Sequence, residues 1–131
     1  MESPIQRLQL SQTAKDQLIK LKRVTKIDQW NILCRWALCR SLAEDYAPAD
    51  VPIPSDSNLE MSWQTFGGEL CDILLIALIQ WCIDHDLPPD KENLARQLRL
   101  HVHRGIGYLA GDPNLKAIEN FVNISLKNTS N

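Results

Sequence analysis

The sequence offers little for metal or covalent chemistry. Its four cysteines, Cys34, Cys39, Cys71 and Cys82, form no C-x-x-C pair and have no histidine at a zinc-ligand spacing. Zinc and iron-sulfur sites are therefore not expected, and reduced thiols inside apolar helices are. The three histidines, His85, His101 and His103, make no H-E-x-x-H, and His101 and His103 fall on nearly opposite sides of a helix. None of the five glycines belongs to a phosphate-cradling loop. Glu44-Asp45, and Asp84 with Asp86, are neighbouring acids of a kind that is usually solvated and seldom holds magnesium. The expectation is a protein without cofactor, metal or catalytic residue.

Membrane and export signals are missing too. Met1-Glu2-Ser3-Pro4 has neither a basic start nor an apolar run, so no secretory or lipidation signal is expected. The longest apolar stretch, Leu70 to Ile83, is shorter than a membrane span and is interrupted by Asp72 and Gln80. These features predict a cytoplasmic protein with no membrane partner.

What is present suffices for one core. With 131 residues, 44% of them apolar, and four tryptophans, the chain reads as a single domain over 1–131. Charge is unevenly placed. Residues 1–40 hold eight Lys and Arg against three acids, residues 41–95 hold Lys91 against eleven acids, and residues 96–131 hold five Lys and Arg against two acids. Basic ends around an acidic middle can present a basic face to a polyanion while the whole stays soluble.

The pattern predicts an all-α fold with a short strand at its start. In Ile5 to Leu10, Leu8 and Leu10 face one side and Arg7 and Gln9 the other. Ser11 reads as the N-cap of a helix from Gln12 to about Val24, with Ala14, Leu18 and Leu21 as its apolar stripe. Asp28 is expected to cap a second helix, Gln29 to about Glu44, which carries two apolar stripes: one through Trp30, Leu33, Cys34, Ala37, Leu38 and Leu42, the other through Ile32, Trp36, Cys39 and Ala43. A helix apolar on two faces needs two partners, and in so small a chain one of them can be another subunit.

Three prolines mark Tyr46 to Asn58 as a loop, and Leu59 to Phe66 is expected to be extended before a turn at Gly67-Gly68. Leu70 to Ile83, apolar nearly all round, should be the central helix. Leu94, Leu98, Val102 and Leu109 mark the buried side of another helix, from Lys91 to about Ala110, and Asp112-Pro113 should open a short last one. The oligomer is expected to form through the second helix and the apolar one.

The candidate binding surface is the exposed face of the first helix. Lys15, Lys22 and Lys26 share one stripe, with Lys20 and Arg23 further round, and only Asp16 dilutes them. Such cations suit DNA phosphates, which supply most nonspecific affinity; a plain solvated face has the same composition. Arg7 and Arg35 complete the candidate DNA contacts. A second stripe, Arg96, Arg99 and His103, is better explained by pairing with the acidic middle. The order strand, helix, turn, helix also suits a ribbon-helix-helix regulator, in which Arg7 and Gln9 would read bases.

Several segments resemble the DndE family: Leu8-Gln9-Leu10-Ser11, Leu21-Lys22, Asn31-Ile32-Leu33-Cys34-Arg35 running on to Ser41-Leu42, Gly68-Glu69, and His101-Val102-His103-Arg104-Gly105. They occur in order over about residues 5–111 and leave the tail from Asp112 uncovered, so 113–131 reads as a C-terminal extension. The resemblance implies an accessory protein of the system that replaces a nonbridging phosphate oxygen of DNA with sulfur. It implies a helical homotetramer that prefers nicked double-stranded DNA, working with a cysteine desulfurase and an iron-sulfur sulfurtransferase. A nicking endonuclease of the same system is the alternative. The family's basic loop falls on Lys22, Arg23 and Lys26, where glycines are expected and this chain has Lys22-Arg23-Val24-Thr25-Lys26-Ile27.

Overall fold

The computed structural model describes residues 3–115. The chain runs β1 (Arg7–Gln9), α1 (Gln12–Thr25), α2 (Trp30–Leu42), β2 (Glu60–Ser62), α3 (Trp63–Gly67), a 3-10 turn (Gly68–Leu70), α4 (Cys71–Asp84) and α5 (Lys91–Gly111). The short last helix expected from Asp112-Pro113 lies largely outside the described residues, as does the rest of the tail.

The first helix starts where its sequence says. Ser11 takes extended backbone and its hydroxyl accepts the Ala14 amide at 3.1 Å, while Ala14, Leu18 and Leu21 turn into the core. Asp28 does not cap α2. Gln29 occupies that position and makes no side-chain cap, so the good capping residue stands one place too early to serve.

Strand β1 finds its partner inside the chain. It pairs antiparallel with β2, Leu8 opposite Met61, and both of these side chains are buried. The ribbon expected of a ribbon-helix-helix protein joins two subunits; here the pairing is internal, Arg7 is tied to Glu60 at 2.7 Å, and Gln9 Nε2 donates to the Ser57 carbonyl at 2.9 Å. The extended segment predicted over Leu59 to Phe66 shrinks to three residues. Ser62 ends it by accepting the Thr65 amide and starting α3, which carries Trp63 and Phe66 into the core. Its aromatic residues and threonine favour a strand, and a serine cap decides otherwise.

The central helix is α5, not the apolar α4. Gly105 lets α5 cross α2 at backbone contact, since a Cβ at that position would lie 1.8 Å from the Ala37 carbonyl oxygen. Helix α4 packs by Leu74, Leu78, Trp81 and Cys82 and leaves Ile73 and Ile76 65% and 64% exposed, with Leu70 and Ile83 also in solvent. Its uniform apolarity predicts a buried helix; the structure buries one face and leaves the other without a partner among the described residues. By length and composition, Trp63–Asp84 taken as one run is apolar enough to cross a membrane. It is broken at Gly68, whose φ is +53°, and α3 and α4 each bury a face in the core.

The thiols divide. Cys34 and Cys82 are buried, Cys71 is half-buried and Cys39 is exposed, so the expectation of four buried thiols is corrected at Cys39 and Cys71. Burial pushes the Cys34 thiol up to about 12, which makes it an inert hydrophobe.

Candidate nucleic-acid interface

The structure separates the seven predicted contacts into two groups. Lys22, Arg23 and Lys26 converge at the C-terminal end of α1, where cations are also favoured by the helix dipole. Arg23 and Lys26 are exposed, and among the described residues neither enters an ion pair or a side-chain hydrogen bond. Lys26 itself takes the left-handed cap of α1, φ 64°, and its amide donates to the Lys22 carbonyl at 3.0 Å. Thr25 shapes the turn: its hydroxyl donates to the Leu21 carbonyl at 2.7 Å and accepts the Ile27 amide at 3.2 Å.

The other four have structural partners. Lys20 Nζ donates to the Ala110 carbonyl at 2.8 Å, Arg35 donates to the Gly67 carbonyl at 3.0 Å, and Arg7 is paired with Glu60. Lys20 and Arg35 thus satisfy carbonyls at the ends of α5 and α3, groups that a helix leaves without internal partners. Lys15 donates to the Asn58 side chain at 2.6 Å. The stripe on α5 is likewise absorbed: Arg96 pairs with Asp50, and Arg99 donates to the Gln9 and Pro54 carbonyls and to the Ser55 hydroxyl. Within that stripe, pairing with the acidic middle is thus found at Arg96 alone, since Arg99 meets carbonyls and a hydroxyl. Acids of the middle pair with Arg7, Arg40 and Arg96, while Lys15, Lys20 and Arg35 are held by neutral oxygens.

One feature of the site is invisible in the sequence. Lys22 and Trp30 lie on different helices, yet the Lys22 ammonium sits 3.5 Å from the Trp30 ring centroid. Half-buried Trp30 lines a groove of about 310 Å³ with Lys22, Gln29, Asn31, Met61 and Thr65 and the acids Asp28 and Glu60. Asn31 is held by donating to the Thr65 carbonyl at 3.1 Å, while the exposed Gln29 is not used as a cap. A second groove, of about 680 Å³, runs between Lys20, Arg23 and Val24 of α1 and the stretch from Ala110 to Leu115.

The histidines of α5 are structural. His103 Nδ1 donates to the Arg99 carbonyl at 2.7 Å, and its Nε2 accepts the Ser11 amide at 3.1 Å, which fixes a neutral tautomer. Fully buried His101 shares a 2.8 Å hydrogen bond between its Nδ1 and the Ser41 hydroxyl, whose oxygen also accepts from Arg104 Nε at 2.7 Å. Its ring stands at 81° to Trp81, 4.4 Å between centroids. Burial, then the charge of Arg104, lowers its pKa to about 4, and burial lowers that of His103. Among the described residues no group of three or more His, Cys, Asp or Glu is placed to hold a metal ion.

Comparison with known proteins returns one family. Residues 7–117 match the profile of the DNA sulphur modification protein DndE, slightly beyond the 5–111 span of the sequence resemblance. The crystal structure of DndE from Escherichia coli B7A, involved in DNA phosphorothioation modification, superposes with a TM-score of 0.66 at 28% identity, covering 79% of this chain and 95% of that one. A glycine-to-lysine double mutant of DndE, involved in DNA phosphorothioation, superposes at 0.62 with 25% identity, covering 82% of this chain and 98% of that one. No curated protein matches in a sequence search.

Proposed function

The chain belongs to the DndE family of DNA sulphur modification proteins, and from that premise we propose that it is an accessory DNA-binding subunit of a phosphorothioation system. It recognises DNA structure, such as a nick in a duplex, through backbone phosphates. The observation that carries this reading is the basic end of α1, where Arg23 and Lys26 stand exposed beside Lys22 with no ion pair among the described residues, while the surrounding cations are engaged by the fold. Cations that are not already neutralised by carboxylates are what counterion release from DNA requires.

The protein works without catalytic chemistry of its own, in the cytoplasm, alongside the cysteine desulfurase and iron-sulfur sulfurtransferase that supply sulfur. It acts as a homotetramer. The unpartnered face of α4, with Ile73 and Ile76, and the half-exposed Trp36 on α2 support an assembly of copies. Several basic ends on one particle then bind DNA with an avidity that a single end lacks.

Titration of intact, nicked and single-stranded DNA at two salt concentrations tests the proposal. Binding should be tightest for the nicked duplex and should weaken as salt rises. Changing Lys22, Arg23 and Lys26 together to glutamate should remove it with the helical signal intact. Retained affinity in that variant, with loss on changing Arg7 and Gln9, would replace it with base readout by the strand.

A further inference from the structure

Phosphate contacts alone do not distinguish a continuous strand from an interrupted one, whereas a ring that stacks on a base does. The groove beside Trp30 opens next to the cationic end of α1, and its volume of about 310 Å³ exceeds what a single nucleobase needs. Three kinds of group meet there: an indole face, the amide side chains of Gln29 and Asn31, and the ammonium of Lys22, with Arg23 and Lys26 following on the same helix end. We propose that this groove receives an unpaired nucleobase, stacked on Trp30, from a DNA strand whose phosphates lie along Lys22, Arg23 and Lys26. The proposal rests on the phosphate-binding reading of α1 and adds to it a reason for discriminating between paired and unpaired DNA.

The Lys22 contact fits an exchange. An ammonium 3.5 Å above the ring occupies the position that a base would take. When the base enters, Lys22 gives up a cation-π contact and gains a phosphate, so its charge remains compensated. Gln29, free of a capping role, lies at the groove wall, where its amide can meet a base edge. Two acids line the groove: Glu60 is already paired with Arg7, and Asp28 stands with Lys22 in the same lining.

The test uses the full chain and three probes: a single-stranded thymidine oligonucleotide, an abasic strand of the same length, and the intact duplex. Wild-type protein should bind the thymidine strand about tenfold more tightly than the abasic strand, the value of one stacked base. Trp30→Leu should lose that advantage and keep its affinity for the duplex, and Trp30→Phe should retain most of it. Equal binding of abasic and thymidine strands by wild type overturns the inference whatever the variants do. So does a loss in Trp30→Leu that is the same on all three probes, since that reports damage to the fold. Absence of duplex binding by wild type would bring down the phosphate track as well; salt-sensitive duplex binding with no base effect would remove only the stacking site.

Discussion

Gly105 and Ala37 meet where α5 crosses α2, with the Ala37 carbonyl oxygen 1.8 Å from the position of a Cβ on residue 105. The obstacle is backbone, so no rotamer change relieves it. Gly105→Ala should destabilise the protein by about 3 kcal/mol. Gly107, two residues on, has nothing within 4 Å of the same atom, and Gly107→Ala should stabilise it by about 1 kcal/mol through helix propensity. Denaturant melts of the two variants check the contrast, and a similar loss in both would contradict it.

Acid should loosen the fold before the carboxylates titrate. His101 and His103 are held neutral, with pKa values below the ordinary 6.5, so the unfolded chain binds protons more readily than the native one. Their contribution is complete above about pH 6.5 and declines as pH falls toward about 4, with His101 alone accounting for about 3 kcal/mol over that range. Melting temperature measured across this window should fall steadily. A flat profile down to about pH 5, where carboxylates remain largely ionised, would refute it.

Lys26 sets stability against binding. Its left-handed φ of 64° is one that glycine adopts freely and lysine does not. Lys26→Gly should raise stability by about 1 kcal/mol while weakening DNA binding and lowering the salt slope by about one. Thermal melts and a salt titration on the same variant read the two effects separately; movement in the same direction would show that Lys26 is not a phosphate contact.

The exposed face of α4 should hold the assembly together. Ile73→Glu with Ile76→Glu places two charges on side chains that are about two-thirds exposed, so the subunit should keep its fold and lose its partners. Light scattering should report a tetramer for wild type and a smaller species for the variant. A wild-type monomer at micromolar concentration would refute the assembly itself.

The elements most legible in the sequence are those governed by local rules. Ser11 before Ala14, Leu18 and Leu21 combines a cap with a stripe, and α1 begins and faces as predicted. Trp63 to Phe66 reads as extended because its residues favour a strand, and the deciding contact, Ser62 to the Thr65 amide, depends on where β2 stops. The apolarity of α4 is visible, but sequence carries no information on which face lacks a neighbour within the chain.

The candidate site is legible in part for a similar reason. Lys22, Arg23 and Lys26 lie at a helix end, and among the described residues none of them enters an ion pair. Lys20, Arg35 and Arg7 look equivalent in composition, but they meet Ala110, Gly67 and Glu60, residues between 32 and 90 positions away. Trp30 reads as core, and only the packing of α1 against α2 brings it beneath Lys22.

The bond from the Ser11 amide to His103 spans 92 residues, and β1 waits for β2 across more than fifty. A ribosome therefore delivers the basic helix well before the residues that fasten it. During synthesis α1 has its own turns and its serine cap, but neither the strand beside it nor the imidazole above it. The first helix is thus made long before the residues that fasten it and is among the latest elements to be locked. Shortening the chain before His103 would leave the cations in place on a helix that has lost its anchor.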